Sequence, residues 1–228
     1  MSDTMTDSPA SDDGRELEDL LSIGMAESVF EKTPYEFLPR LALDRIIEER
    51  SIFTAMGITQ PTEEDKSLGY FISTRAKKAF ATALYCELRP GELRNAMALF
   101  QKYSFDDNKL PIQAWSGDQF KDNPKKGTLH LFVSMEGPSK NGYGKIWTLR
   151  KIKGFQGHQW KFLAPVISTA EPNHNLGELT VPFIKKHAKF DEGSFGVVSK
   201  YEIHGDHIID PSRPVSMGSV AAYLQTLR

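Results

Sequence analysis

Apolar residues recur at three- and four-residue intervals over most of the chain, then switch to an extended, alternating pattern near the C-terminus. Residues 1–14 are mainly Ser, Asp, Thr, Pro and Gly with almost nothing to bury, which predicts a disordered acidic tail. From Arg15 onward, Leu17, Leu20, Leu21, Met25 and Val29 lie at helical spacing and predict a short amphipathic helix ending near Thr33 and Pro34. Residues 37–53 can place Leu41, Leu43, Ile46 and Ile47 on one face and Asp44, Arg45, Glu48 and Glu49 on the other. After a break over 57–61, Thr62 offers an N-cap, with Glu63, Glu64 and Asp65 complementing the dipole of the first turn. The longest helix is predicted over 66–87, with Leu68, Phe71, Ile72, Ala76, Phe80 and Leu84 in its inner stripe. Arg89, Pro90 and Gly91 turn the chain into another helix over 92–103, with Leu93, Met97 and Phe100 inward.

The middle of the chain is less regular. Residues 112–115 read as extended, 122–127 as a loop, and 128–133 as a strand or a helical turn. Residues 145–163 predict a helix interrupted near Gly154 and Gly157, and 165–175 a linker. Beyond the linker, 178–184, 188–190 and 197–203 read as extended. The chain thus divides into a tail (1–14), a helical domain (15–175), a β-hairpin (176–210) and a divergent tail (211–228). The fold class expected is mostly α with a small C-terminal antiparallel β element.

Composition narrows the functional classes. Hydrophobic residues make up 39% of the 228, enough for a sizeable core, and a formal net charge of −2 exerts no global pull toward nucleic acid or anionic lipid. The single cysteine, Cys86, excludes an internal disulfide and sits in an apolar run, as a small buried side chain does. No apolar segment approaches the ~20 residues needed to cross a bilayer. The acidic N-terminus does not read as a secretory leader, so a cytoplasmic or nuclear location and no membrane partner are expected.

The most distinctive local pattern is Asp191-Glu-Gly-Ser-Phe-Gly-Val-Val-Ser-Lys-Tyr-Glu-Ile-His204, two extended runs joined by a glycine turn. Gly193, Ser194, Phe195, Gly196 and Val198 follow the later part of the kinase spacing G-x-G-x-x-G-x-V, in which backbone N–H groups approach phosphates and the valine packs on the adenine. Asp191 stands where the first glycine would be, bringing a carboxylate toward the phosphates. Elsewhere, Phe37-Leu-Pro39, residues 43–52, residues 76–84, Phe105-Asp-Asp-Asn-Lys-Leu-Pro111 and Gln159-Trp-Lys-Phe-Leu-Ala-Pro165 resemble the helical N-terminal region of a group of fungal protein kinases. Residues 194–207 resemble the first hairpin of that group's small lobe. The similarity runs in collinear order over roughly residues 35–210. It implies a helical accessory domain followed by a partial kinase small lobe. It also implies protein Ser/Thr phosphorylation, with ATP and magnesium as cofactors, for full-length relatives.

The chain then departs from that pattern. A kinase needs a lysine on its third strand, a catalytic-loop Asp and Asn, and a metal-binding Asp. Residues 215–228 contain no lysine, and neither His-Arg-Asp nor Asp-Phe-Gly occurs in the sequence. The chain is therefore expected to have no catalytic residue and no cofactor of its own, as a fragment ending before the catalytic core. The His204-Gly-Asp-His207 cluster invites a metal reading, but residues three apart on a strand face opposite ways, so surface or loop histidines are expected. Lys125, Lys126, Lys140, Lys145, Arg150, Lys151, Lys153 and Lys161 interleave with Trp147, Phe155 and Trp160. Such a pattern fits either single-stranded nucleic acid binding or an amphipathic helix with buried aromatics, and the neutral whole-chain charge favours the helix. Two functional readings follow: the N-terminal part of a kinase-like protein, or a non-catalytic helical module that binds a protein partner.

Overall fold

The computed structural model describes residues 13–30, 35–112, 132, 146–171, 180–187, 191–193, 196–211 and 220–227. The protein is mostly helical, with a small antiparallel sheet formed by C-terminal strands. The helices are α1 (Asp13–Ile23), α2 (Arg40–Ile46), α3 (Glu49–Ala55), α4 (Glu63–Arg75), α5 (Lys77–Leu84), α6 (Pro90–Lys102) and α7 (Leu149–His158). Strands β1 (Ala26–Ser28) and β2 (Tyr35–Phe37) form an antiparallel pair; β3 (Ile167–Ser168) and β7 (Ile208–Ile209) form a parallel one. The main sheet contains β4 (Phe183–Lys186), β5 (Asp191–Gly193), β6 (Gly196–Ile203) and β8 (Val220–Leu227). Of the expected tail, only Asp13 and Gly14 are described, and they begin α1. The expected features at 122–127 and 188–190, all of 128–133 but residue 132, and residues 113–115, 145, 172–175, 178 and 179 lie outside the described residues.

Helix α5 sits at the centre of the helical domain. Residues Ala79 to Leu84 are all buried, and the helix packs against α1, α2, α4, α6 and α7. The helix expected over 66–87 is broken at Ala76, whose backbone (φ −134°, ψ 31°) leaves the helical region. The cause lies thirty residues downstream, in Phe105-Asp-Asp. Asp107 accepts the backbone N–H groups of Lys78 (3.1 Å) and Ala79 (2.9 Å), capping a new helix start. Asp106 pairs with Arg75, the last residue of α4, at 2.6 Å. The single helical face expected over 37–53 is likewise two helices. The break falls at Glu48, whose N–H donates to Ser51 Oγ at 2.9 Å in a capping box.

Two other boundaries shift for tertiary reasons. Helix α1 stops at Ile23 because the chain turns at Gly24, where an added Cβ would meet Leu38 at 3.1 Å. Met25 and Val29 therefore leave the helix, and the Val29 N–H donates to the Phe183 carbonyl at 2.7 Å. Helix α7 runs unbroken through Gly154 and Gly157, since neither takes a positive φ. It ends in a 3-10 turn, Gln159–Phe162.

The core has two parts. The larger cluster fills the helical domain and includes stacked Phe100 and Trp147, with ring centroids 5.4 Å apart. The smaller joins Ile167, Val181, Phe183, Tyr201 and Ile203 under the sheet, with Val29 and Ile208 against it. Val29 and Ile167, both on the N-terminal side of the boundary expected near residue 175, pack in the smaller cluster. Among the described residues, no helix is long and apolar enough to cross a membrane.

Candidate functional site

The glycine turn is built by strand pairing. In β5–β6 the register runs Asp191↔Val198, Glu192↔Val197 and Gly193↔Gly196, so a two-residue connection joins a glycine pair. Gly193, Gly196 and Val198 therefore lie in one hairpin, with Gly193 and Gly196 closing its turn. Ser194 and Phe195, the other two candidate nucleotide-contacting residues, lie outside the described residues. Asp191, at the first-glycine position, pairs with Val198 on the neighbouring strand. A surface concavity of about 560 Å³ is lined by Glu49, Arg50, Phe53, Thr54, Ile58 and Pro61. It belongs to α3 and the turn after it and includes no hairpin residue.

Strand β8 is the feature that sequence reasoning missed. Residues 211–228 read as a divergent tail, yet Val220–Leu227 pairs with β6 from Gly196↔Leu227 to Ile203↔Val220. Two alanines and no polar alternation hide the strand in the sequence, and an eight-residue partner edge on β6 supplies its hydrogen bonds. The strand reads Val220-Ala-Ala-Tyr-Leu-Gln-Thr-Leu227 and contains no lysine.

A second constellation joins the two parts of the molecule at His207. Its buried imidazole donates from Nδ1 to the Pro165 carbonyl at 3.0 Å. Its Nε2 accepts the Arg40 N–H at 3.3 Å. Arg40 opens α2, and Pro39 before it provides no side-chain cap, so the imidazole satisfies one of the orphan donors of that helix. Both bonds require the neutral Nδ1–H tautomer. Burial drives the His207 pKa down to about 4, with the Pro165 bond opposing and nearby His204 adding to the fall. Phe37 lies edge-on to His207 and to His204, at 5.4 and 6.0 Å between ring centroids.

The motifs of the kinase resemblance thus meet in space. The Leu38 N–H donates to the Lys161 carbonyl at 2.7 Å, and Lys161 pairs with Glu36. The Gln159 side chain clamps the Ile112 backbone, accepting its N–H at 2.7 Å and donating to its carbonyl at 3.0 Å. Phe37-Leu-Pro39, Gln159 to Pro165 and His204 to His207 form one junction, and Phe105 to Pro111 caps the central helix beside it. These motifs bind their own chain, and His204 Nδ1 likewise accepts the Asp206 N–H at 3.3 Å. Among the described residues, no three His, Cys, Asp or Glu side chains gather as a metal site requires.

Of the remaining candidates, Cys86, Trp147 and Phe155 lie in the core, whereas Trp160 is half-buried and Lys153 exposed. The Cys86 thiol donates to the Thr82 carbonyl at 3.3 Å, and burial pushes its pKa up to about 12, far from a reactive thiolate. Trp147 and Phe155 are fully buried with Phe100, Phe105 and Phe132, so they offer no face for stacking a base. Arg150, Lys151 and Lys161 pair with Glu87, Glu92 and Glu36. Lys125, Lys126, Lys140 and Lys145 lie outside the described residues.

Comparison of the chain with protein-family models, with curated proteins and with solved structures returns no match.

Proposed function

We propose that this chain is the accessory region and opening strands of a protein-kinase-like protein, and that it transfers no phosphate by itself. One observation supports the reading: a glycine pair closes the turn of an antiparallel hairpin, and a third strand pairs with the second strand along its length. In a kinase small lobe the glycine turn covers the nucleotide, and the lysine that pairs with its phosphates stands on the third strand. Here that strand reads Val220-Ala-Ala-Tyr-Leu-Gln-Thr-Leu227, without a cation. Phosphoryl transfer rests on positioning and charge stabilisation, and this chain has no lysine, catalytic Asp or metal-binding Asp in the required motifs. Backbone groups at Gly193, Gly196 and Val198 alone would hold ATP with a Kd of about 1 mM or weaker.

Amide chemical shifts of the full chain, titrated with ATP and magnesium, test this. Small shifts centred on Gly193, Gly196 and Val198, without saturation below about 1 mM, are expected. Shifts centred elsewhere, or phosphate transfer by the purified chain, would sink the reading. A second reading, a helical module for a protein partner, is favoured by Leu20 and Ile23, which stand 48% and 82% exposed on α1. A titration that leaves every hairpin amide unmoved gives that reading precedence.

A further inference from the structure

The main sheet has two edges of opposite design. Along one edge, β4 and β5 lie end to end against β6. They carry Lys185, Lys186, Asp191 and Glu192, and the Val29 N–H covers the Phe183 carbonyl at 2.7 Å. Charged residues and a covering segment are common means of keeping a sheet edge from pairing with another chain. The other edge is β8, paired with β6 over eight residues with no bulge. Val220–Leu227 holds no charge, no proline and no glycine, and β6 is its one strand partner among the described residues. Among the described residues, none of the protective devices found on the first edge is present on the second.

We propose that β8 is an interaction edge, and that it pairs antiparallel with the β8 of a second copy of this chain in a closed two-fold dimer. Identical antiparallel strands are related by an axis perpendicular to their sheet, so residues equidistant from that axis face each other. A charged residue near the axis of such a strand would meet its own kind; β8 has none. The pattern also explains closure. Once two β8 strands pair, the continuous sheet ends on a β4/β5 edge at both sides, and those are the charged, covered edges. Assembly stops at two rather than running on as a fibre. A formal charge of −2 across 228 residues leaves little repulsion between copies.

Sedimentation equilibrium of the full chain from about 1 to about 100 µM tests the dimer, because association follows mass action. The mass is expected to double across that range. Tyr223→Lys and Tyr223→Glu, placed near the axis at the position paired with Lys200 rather than with the buried Tyr201 and Ile203, are each expected to hold the chain at monomer mass with an unchanged circular dichroism spectrum. Mixing the two variants is expected to restore the doubled mass, since opposite charges then face each other. A wild-type chain that stays monomeric throughout overturns the proposal. So does a dimer indifferent to both substitutions, or a species that grows without limit. Where a variant loses its fold, amide exchange of the wild type decides. Protection of residues 220–227 that rises with protein concentration supports the dimer, and protection independent of concentration refutes it.

Discussion

His207 carries opposite hydrogen-bonding roles on one ring, donating to Pro165 and accepting from Arg40. A proton added at Nε2 would face the Arg40 N–H, so the folded state binds that proton poorly. The folded pKa, about 4, lies below the ordinary 6.5, so the stabilising effect is fully present above 6.5 and is lost as pH falls toward 4. From the size of that shift, the chain is expected to be about 2 kcal/mol less stable at about pH 5 than at about pH 7.5. Urea unfolding at the two pH values measures this. His207→Phe keeps an aromatic ring but strands the Arg40 N–H and the Pro165 carbonyl, so a loss of about 2–4 kcal/mol at neutral pH is expected. The same variant should flatten the acid limb; an acid limb as steep as the wild type's would assign the pH dependence to another group. The sequence shows His204-Gly-Asp-His207 as a cluster but not this role, because Arg40 lies 167 residues away.

Among the elements, the break between α4 and α5 shows how a helix boundary can be set from outside the helix. The apolar stripe through Leu68, Ile72, Ala76 and Phe80 is continuous, and periodicity alone runs one helix across it. Asp107 interrupts it by capping the N–H groups of Lys78 and Ala79. Burial raises the Asp107 pKa, and those two backbone bonds offset part of the rise. Asp107→Ala is expected to cost about 1–2 kcal/mol, read as a lower thermal midpoint, with Asp107→Asn less affected because it keeps one acceptor oxygen. Equal losses in the two variants would argue against the cap. The start of α4 is the contrasting case. Thr62 Oγ1 accepts the Asp65 N–H at 3.2 Å, and Asp65 accepts the Thr62 N–H at 3.0 Å, as residues three apart allow. That cap is local and legible in the sequence; the one on α5 depends on a distant turn.

Across the whole molecule, two apolar clusters meet at the His207 junction, and their separation has consequences for cooperativity. Phe183 is fully buried in the smaller cluster and stacks on Tyr201 at 4.9 Å. Phe183→Ala is expected to cost about 3–5 kcal/mol by leaving a cavity under the sheet. Amide exchange should then accelerate in β6 while α5 keeps its protection, because the helical core retains its own contacts. Uniform acceleration in both regions would mean that the clusters unfold as one unit.

Periodicity along the chain was enough to give the mostly helical class, the placement of most helices and the glycine hairpin. Each of these rests on local periodicity, capping or turn chemistry, which operate over a few residues. Folding in three dimensions settled where α4 gives way to α5, what His207 binds, and that 220–227 completes the sheet. Those outcomes depend on donors and acceptors brought together from distant parts of the chain, such as Arg40 with His207 and β6 with β8. A buried backbone group must find a partner somewhere, and spacing along the sequence does not reveal which one.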